Sequence, residues 1–530
     1  MRFLALVAVG EPETIARMTR AATQQQIAAV MRAINAGQHE SAMHASRDLV
    51  ASFPDDPNPL ALLSMTLARS GELDDAISAA SKAADLGGDD RHDLRLGLAQ
   101  LLRSAGRTDE AVAAFREIAD RTNDPESWYG LALCHEQSRQ YAEAASAARR
   151  VLAARPGHVM AGITLARALR AERKAEEALS QLNSYNIARA PAIVAVHLHT
   201  ERGQCLDQLG RYDEAFAAFT KANAAFDSMP ESMRISKDAF PAILDATRHL
   251  LQSDRWKGRA VFDPASETQP VFVVGFPRSG TTMFEQMLGS HSRVVTSDEA
   301  PFIRDVVRDI ESMGAAGGTQ ERGGYPGALV SLTAEQCAEL RGCYWAHARK
   351  RLGPTIDSRV LVDKQPLNIA FLACIGRIFP GAKVIVVVRD PMDTVLSCFM
   401  QAFTPNQATV HFSSLKRTAD LYARVMSLWL ETRDSTGVDA LMVRYEDVID
   451  NPRKEVTRCL QHIGLSWEDG IESFYERIGR RFISTPSSQG VATPISRKSV
   501  GRWDRYHDRV NGVLQIVERF RIEFGYARSE

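Results

Sequence analysis

Two absences restrict the classes of protein to which this chain of 530 residues can belong. It contains no apolar run of about 18 residues, so no membrane-spanning helix is expected. Its positive and negative side chains nearly cancel, to a formal net charge of −1. That balance gives no reason to expect binding to nucleic acid, which favours basic surfaces.

Cysteine is scarce and scattered. The chain has seven cysteines, an odd number, and no Cys-x-x-Cys pair. Such cysteines are typical of free thiols in a reducing compartment, so we expect a cytoplasmic protein without a metal site. The apolar start from Met1 to Gly10 has one basic residue and is at the short end for a signal peptide, so we expect it to remain uncleaved.

A lysine is missing where a nucleoside triphosphate needs one. The apolar run 271–274 predicts a strand, followed by a glycine-bounded loop and a helix, with the G-x4-G-x-T spacing of a phosphate-binding P-loop. Thr281 occupies the place of the usual lysine. Because a triphosphate with Mg²⁺ requires that charge, the loop predicts a cradle for a less charged anion, handled by hydroxyls, backbone and Arg278.

A second junction between strand and helix carries another anion-binding pair. Residues 384–388 form a β-branched run, which is typical of a central parallel strand. Arg389 follows at its carboxyl end, and Asp390-Pro391 begins a helix in which Ser397 lies about two turns later. An arginine at a strand end can form paired hydrogen bonds with a phosphate, and a hydroxyl adds a neutral donor. The structural alternative is a local Arg389–Asp390 ion pair.

The two junctions together carry a resemblance. The sequence PRSGTT after an apolar strand resembles the phosphosulfate-binding loop of sulfotransferases that use PAPS (3′-phosphoadenosine 5′-phosphosulfate). It is most similar to tyrosylprotein sulfotransferases and to bacterial sulfotransferases fused to tetratricopeptide repeats. The resemblance implies PAPS as the cofactor, with its 5′ end on the loop residues Arg278, Ser279, Gly280, Thr281 and Thr282, and its 3′-phosphate on Arg389 and Ser397.

Two later segments match the same family. Tyr445, after a short apolar strand, corresponds to a tyrosine near the nucleotide. The segment that contains Ser487 and Ser488 corresponds to a loop that closes over PAPS. The basic residue just before a tryptophan, Arg502, corresponds to a phosphate contact, and Lys498 is a second candidate for that charge.

Sulfuryl transfer to a hydroxyl requires a general base and positive charge beside the leaving phosphate. The resemblance to the tyrosylprotein enzymes places the base at Glu299. His291 is the alternative base, although it falls where the family has an ordinary histidine at a helix end. Lys364, after the apolar strand 360–362, and Arg278 are expected to stabilise the leaving 5′-phosphate.

The sequence leaves the acceptor open. Four residues after the predicted phosphate-binding serine, the tyrosylprotein enzymes carry an arginine, whereas this chain has Gln401. Protein tyrosine, carbohydrate, lipid and small phenols are all acceptors to consider.

The first half of the chain repeats at intervals of 33 to 37 residues. A small alanine lets the two helices of a hairpin approach, and a glycine suits the turn between them. The period and pattern resemble tetratricopeptide repeats, which implies an array that binds a partner protein or the acceptor, or that associates with itself. The repeated alanines are Ala42, Ala76, Ala111, Ala144, Ala178 and Ala215.

The sequence thus predicts an N-terminal α-solenoid of about six repeats followed by a P-loop-like α/β sulfotransferase domain with a central parallel sheet. We expect the solenoid at residues 20–250, a linker at 256–269 and the sulfotransferase domain at 270–530. The predicted function is transfer of a sulfuryl group from PAPS to an acceptor hydroxyl. The alternatives are a repeat scaffold with a degenerate nucleotide-binding half and a P-loop kinase of small molecules, against which the missing P-loop lysine argues.

Overall fold

The computed structural model describes residues 24–36, 38–259, 268–316, 324–478 and 495–527. Packing divides the chain into two compact units, Met1–Asn186 and Ile187–Glu530. The described part of the first unit is helical, and the second unit contains a sheet. None of the helices in the described ranges combines the length and apolarity that crossing a lipid bilayer requires.

The first unit is a series of helical hairpins. Each helix packs against the helix that follows it in sequence, which is the arrangement of a solenoid. Asp56 and Asp124 are the N-cap residues of two of the helices, because their carboxylates accept a hydrogen bond from a backbone N–H of the first turn. The helices are α1 (Gln24–Asn35), α2 (His39–Ser52), α3 (Pro57–Arg69), α4 (Leu73–Gly87), α5 (His92–Ser104), α6 (Thr108–Thr122), α7 (Pro125–Gln137), α8 (Tyr141–Ala154), α9 (Val159–Ala171) and α10 (Ala175–Asn183).

The repeated alanine is buried in every hairpin. All six predicted alanines have 0% of their surface exposed. A Cβ atom on Gly130 would lie 2.3 Å from the Phe115 ring, and one on Gly203 would lie 2.5 Å from the Phe219 ring. Helices that approach this closely require small residues at the contact, so the predicted helical repeat fold is confirmed.

The second unit begins with another hairpin of the same kind, α11 (Ala192–Gln208) with α12 (Tyr212–Asp227). Three further helices follow: α13 (Pro230–Arg234), α14 (Ala239–Gln252) and α15 (Asp254–Lys257). The division by packing describes compactness and not membership of the repeat array, so the predicted limits of the solenoid, linker and sulfotransferase domain stay predictions.

A five-stranded parallel sheet forms the centre of the second unit, as predicted. The strand order is β2-β3-β1-β4-β5, so the connections leave β1 and β4 towards opposite sides and open a crevice at their carboxyl ends. The valines of β1 and β4 are almost fully buried, which explains their continuous β-branched runs. The strands are β1 (Val271–Gly275), β2 (Val294–Thr296), β3 (Val360–Lys364), β4 (Lys383–Val388) and β5 (Asp439–Arg444).

Helices connect the strands and pack against the sheet. The apolar residues of the helix after β1, among them Phe284 and Leu288, join one core cluster with the strand valines. The helices are α16 (Thr281–Leu288), α17 (Phe302–Ala316), α18 (Ala334–Leu352), α19 (Leu372–Ile378), α20 (Pro391–Phe399), α21 (Leu415–Thr432), α22 (Tyr445–Asp450), α23 (Pro452–His462), α24 (Phe474–Ile478), α25 (His507–Val510) and α26 (Leu514–Glu523).

The α11–α12 hairpin packs against the carboxyl end of α20. Asn223 donates a hydrogen bond to the Phe399 carbonyl oxygen at 2.9 Å, and Gln204 donates one to that of Met400 at 3.2 Å. The Phe216 and Phe399 rings stack with centroids 5.2 Å apart. These side chains satisfy carbonyl groups that the end of a helix leaves unpaired, so the hairpin is built into the unit that contains the sheet.

Candidate active site

Two glycines and a left-handed arginine shape the loop after β1. A Cβ atom on Gly275 would lie 2.4 Å from the Val387 carbonyl oxygen, so the loop leaves its strand in close contact with β4. Arg278 (φ 72°) and Gly280 (φ 101°) have left-handed backbone conformations that turn the chain into α16. The helix begins at Thr281, and the N–H groups of a first helical turn suit an anion.

Hydroxyl side chains of this turn are buried. Ser279, Thr281 and Thr282 are each less than 5% exposed. The Ser279 hydroxyl has no hydrogen-bond partner among the described residues. Because buried hydroxyls are normally paired, this group marks a place where an oxygen of a ligand fits.

Tyr445 lies against the same loop. It is the first residue of α22, directly after β5. A Cβ atom on Gly280 would come within 2.3 Å of the Tyr445 ring, so the absence of a side chain at 280 permits the contact. The ring centroid also lies 5.2 Å from the Arg389 guanidinium, and the hydroxyl is hydrogen-bonded to Ser499. Tyr445 therefore links the loop after β1 with the end of β4.

Arg389 follows the last residue of β4 and is buried. Its guanidinium donates to the carbonyl oxygens of Arg278, at 3.2 Å, and of Ser499, and it forms an ion pair with Asp393 at 3.4 Å. Its Nε has no partner among the described residues. Arg278 Nε donates to Ser397 Oγ at 3.1 Å. The structure thus brings the predicted residues Arg278, Arg389 and Ser397 together.

Positive charge is concentrated at this point. Burial, together with the positive charges of Arg389 and Arg502, lowers the pKa of Arg278 to about 10. Burial raises the pKa of the neighbouring Cys398 thiol to about 12, so it supplies no negative charge at neutral pH. Three charged arginines in proximity repel one another, and a bound polyanion relieves that repulsion.

Asp393 of α20 fixes the turn that carries Arg502. Its two carboxylate oxygens accept hydrogen bonds from the backbone N–H of Gly501, at 2.8 Å, and of Trp503, at 2.9 Å. The same carboxylate pairs with Arg389, so the turn and the end of β4 share one anchor.

One other predicted residue in the described ranges, Lys498, is not part of this cluster. Lys498 is exposed in the turn Arg497–Ser499, and its side chain makes no polar contact with the cluster in the described ranges. Ser487 and Ser488 lie outside the described residues.

A lysine held between two carboxylates lies at the end of β3. Lys364 Nζ is 2.8 Å from Glu299 Oε1 and 3.1 Å from Glu285 Oε2. The side chains of Lys364 and Glu285 have no exposed surface, whereas that of Glu299 is 32% exposed. Asp298 and Glu299 have left-handed backbones (φ 47° and 59°), a strained conformation for residues with a side chain. Glu299 is therefore the member of this group that is accessible from solvent.

Glu285 is a residue of this group that the motifs do not predict. Burial raises the pKa of Glu285 to about 7, against the opposing effect of Lys364. Its Oε1 accepts a hydrogen bond from the Asp298 N–H at 3.0 Å. Burial opposes the charge of Lys364, but the two carboxylates outweigh it, so the pKa of Lys364 is raised. The available sequence signal is one acidic residue within the apolar turn 283–288, which implies a buried partner charge.

A second buried acid supports the backbone of Lys364. Asp363 accepts hydrogen bonds from the Tyr344 hydroxyl at 3.0 Å and from the Ser297 hydroxyl at 3.1 Å, and Ser297 Oγ accepts one from the Lys364 N–H at 2.9 Å. Burial raises the pKa of Asp363 to about 7. This network joins β2 to β3 beneath the Glu299–Lys364 pair.

His291, the alternative base, has both ring nitrogens engaged. Its Nδ1 accepts a hydrogen bond from the Arg293 N–H at 3.0 Å, so Nε2 carries the proton and donates to the Ser466 carbonyl oxygen at 3.1 Å. The side chain is buried. The geometry favours a structural role for His291.

The comparisons with known proteins agree with this organisation. Residues 270–469 match the model of the sulfotransferase family, and residues 93–159 and 196–225 match tetratricopeptide repeat models. An uncharacterized protein of Aquifex aeolicus (strain VF5) is 27% identical over 320 residues, which cover 59% of this chain and 40% of that protein.

Two further relatives match the second half of the chain. A protein-tyrosine sulfotransferase of Drosophila melanogaster is 24% identical over 258 residues, 46% of this chain and 48% of that protein. Protein-tyrosine sulfotransferase 1 of Danio rerio is 24% identical over 238 residues, 44% of this chain and 65% of that protein. The chain thus spans less than two thirds of the length of each of these relatives. The resemblance predicted from the motifs is confirmed.

Proposed function

We propose that the sulfotransferase domain at residues 270–469, in a chain that also carries tetratricopeptide repeats, transfers the sulfuryl group of PAPS to an acceptor hydroxyl. The proposal rests on the position of two groups at the carboxyl edge of the sheet. The loop after β1, which lacks the P-loop lysine, contacts Arg389 at the end of β4. The Glu299–Lys364 pair lies at the same edge.

The residues at this edge fit a cofactor with two anionic groups. Three arginines supply positive charge, and Ser279 Oγ and Arg389 Nε are buried polar atoms that lack a partner among the described residues. A side chain at Gly280 would fill space beside Tyr445. We assign the 5′ end of PAPS to the residues from Arg278 to Thr282, the 3′-phosphate to Arg389 and Ser397, and further nucleotide contacts to Tyr445, Ser487, Ser488, Lys498 and Arg502.

Glu299 is the proposed general base. PAPS supplies a sulfuryl group on a leaving phosphate when it is bound. The acceptor hydroxyl loses its proton to Glu299 while its oxygen bonds to sulfur, and the bond from sulfur to the bridging oxygen breaks with its electron pair on PAP (3′-phosphoadenosine 5′-phosphate). Lys364 holds Oε1 of Glu299, and Oε2 has no partner among the described residues. A carboxylate fixed at one oxygen and accessible at the other suits proton transfer.

Arg278 and Lys364 are the proposed groups that stabilise the leaving phosphate. Arg278 lies within the loop itself and keeps its charge at neutral pH. Lys364 has three N–H donors, of which one donates to Glu299, and it forms an ion pair with Glu285. Because the Lys364 side chain has no exposed surface, we propose that Lys364 acts on the leaving phosphate through its charge.

The acceptor class that we propose to test first is the phenol hydroxyl of a protein tyrosine. The names of the relatives from Drosophila melanogaster and Danio rerio support it. Gln401, in place of an arginine of the tyrosylprotein enzymes, is the reason to test other hydroxyls beside it. We further propose that the repeat array binds a partner or acceptor protein.

The decisive experiment is calorimetric titration of the protein with PAP, and separately with ATP and Mg²⁺. We expect PAP to bind without metal and more tightly than ATP. Arg389→Ala is expected to weaken PAP binding by about 2 kcal/mol, because a charge-assisted contact is lost. Binding of ATP with Mg²⁺ in preference to PAP would support the kinase alternative. Binding of neither would support a repeat scaffold with a degenerate nucleotide-binding half.

A further inference from the structure

Asp207 of the α11–α12 hairpin uses both of its carboxylate oxygens on the segment near the C-terminus. Its Oδ2 lies 2.8 Å from Arg502 Nη2, and its Oδ1 accepts a hydrogen bond from the Tyr506 hydroxyl at 2.6 Å. The Tyr506 side chain is buried and also contacts the Tyr212 ring at 5.3 Å between centroids. Since Tyr506 fixes one oxygen of the carboxylate, the other is held in place for the arginine.

Arg502 is held from two sides. Asp393 fixes the backbone of its turn through Gly501 and Trp503, and Asp207 fixes its guanidinium. Only Nη2 of Arg502 is engaged, so Nη1 and Nε have no partner among the described residues. The charge of Arg502 acts on Arg278 in the loop after β1, which puts the guanidinium within electrostatic range of the proposed cofactor site.

We propose that Asp207 is a positioning residue for PAPS. It holds the Arg502 guanidinium through Nη2, within electrostatic range of Arg278, and leaves Nη1 and Nε for a phosphate group. The inference rests on the proposed function, because it takes Arg502 as a cofactor contact. The physical basis is preorganisation: a long side chain that repulsion would otherwise drive into solvent loses less freedom on binding when a carboxylate has fixed it beforehand.

The direction in which the Kd for PAP changes on replacement of Asp207 shows whether Asp207 positions Arg502 or only contributes a negative charge. A carboxylate close to a phosphate repels it, so loss of the Asp207 charge by itself would tighten binding of an anion. Loss of positioning weakens that binding. We therefore expect Asp207→Asn to raise the Kd for PAP about tenfold, a typical coupling for a direct ion pair. The KM for PAPS should rise by a similar factor while kcat changes less than about twofold.

The test is calorimetric titration of the full chain with PAP in four proteins: wild type, Asp207→Asn, Arg502→Ala and the double variant. If Asp207 acts through Arg502, its replacement has no further effect on the Kd once Arg502 is alanine. Asp213→Asn is the matched control, because Asp213 of the same hairpin pairs with Arg509 of the same C-terminal segment at 3.0 Å on the exposed surface. We expect the control to bind PAP as the wild type does.

Three results would each overturn the inference: an unchanged Kd in Asp207→Asn, a tighter one, or equal losses in the control. If Asp207→Asn does not fold, Tyr506→Phe replaces it, since it removes only the hydroxyl that fixes Oδ1 of Asp207. We expect this variant to raise the Kd for PAP about threefold. An unchanged Kd in Tyr506→Phe would contradict the inference. A wild-type protein that does not bind PAP would instead refute the proposed function, and the two failures are therefore distinct.

Discussion

At the scale of single residues, the Lys364 ammonium is shared between two carboxylates of unequal exposure. Glu285 is fully buried, and Glu299 is partly exposed. Burial disfavours the charged form of Glu285 and, together with the nearby Asp298 carboxylate, outweighs the attraction of Lys364, so the pKa of Glu285 is raised to about 7. Both carboxylates raise the pKa of Lys364 and keep it charged.

We expect Glu299→Gln to retain PAP binding and to lose sulfuryl transfer. The amide keeps a hydrogen-bonding oxygen for Lys364 but cannot accept the acceptor proton, so the rate should fall at least about 100-fold. The measurements are calorimetry with PAP and transfer of labelled sulfate from PAPS. Glu472→Gln, on the exposed surface, is the control. Transfer at a rate near that of the wild type would remove Glu299 as the base.

The raised pKa of Glu285 predicts a dependence of stability on pH. Its folded pKa of about 7 lies above the ordinary value of 4.5, so the folded state binds the proton more tightly than the unfolded state does. The stabilisation is complete below about pH 4.5 and is lost as the pH rises through 7. Relative to Glu285→Gln, the wild type should lose on the order of 2 kcal/mol between pH 5 and pH 8.

Urea unfolding of the wild type and Glu285→Gln at the two pH values, followed by tryptophan fluorescence, measures this difference. The buried Trp256 in the second unit makes fluorescence sensitive to its unfolding. A free-energy difference that does not change with pH would show that the pKa of Glu285 is not raised.

The sequence predicts Lys364 but not Glu285, because the two residues occupy different kinds of position. Lys364 ends an apolar strand, and chemistry in parallel sheets concentrates at strand ends. Glu285 lies inside a helix, where an acidic residue is usually exposed. Its burial becomes evident only when β3 brings Lys364 to the helix, 79 positions further along the chain.

At the scale of elements, the loop after β1 depends on the absence of a side chain at Gly280. We expect Gly280→Ala to displace Tyr445, because its Cβ would lie 2.3 Å from that ring and its φ of 101° is unfavourable for alanine. Stability should fall by about 1–2 kcal/mol and the Kd for PAP should rise at least about tenfold.

Thermal unfolding and calorimetry with PAP measure the two effects of Gly280→Ala. The control is Gly342→Ala in the interior of α18, where an added Cβ meets no atom within 4 Å. That substitution should raise helix stability slightly and leave the Kd unchanged. Wild-type affinity in Gly280→Ala would contradict the proposed contact between loop, tyrosine and cofactor.

The repeat hairpins were predictable from the sequence because their contacts are local. Each repeated alanine is buried and consecutive helices pack against one another, so a period in the sequence is enough to predict the pairs. The packing of the last hairpin against α20 was not predictable, since Asn223 and Phe399 are 176 positions apart. No periodic signal specifies such a long-range contact.

At the scale of the whole molecule, the division at Ile187 predicts how the chain can be shortened. A fragment of residues 187–530 should fold and bind PAP within about threefold of the full chain, because it keeps the packed unit intact. A fragment of residues 268–530 should fail to fold, since it loses Asn223 and the buried Trp256, whose indole donates to the Ser435 carbonyl oxygen at 2.7 Å.

Circular dichroism melting curves and calorimetry with PAP on both fragments test this prediction. Loss of cooperative melting in the longer fragment would show that the second unit depends on the first. Wild-type affinity in the shorter fragment would show that α11 to α15 contribute nothing to the sheet unit.

The integration of the α11–α12 hairpin into the sheet unit makes the two ends of the repeat series unequal in evolution. Recombination between repeats adds or removes whole hairpins, and the remaining neighbours still match because each contacts only the next. That exchange is open to the hairpins before Ile187. The last hairpin carries Asn223 against α20 and Asp207 on Arg502, so its sequence is tied to the unit that contains the sheet. We therefore expect exchange of repeats to be tolerated upstream of residue 187 and not in the last hairpin.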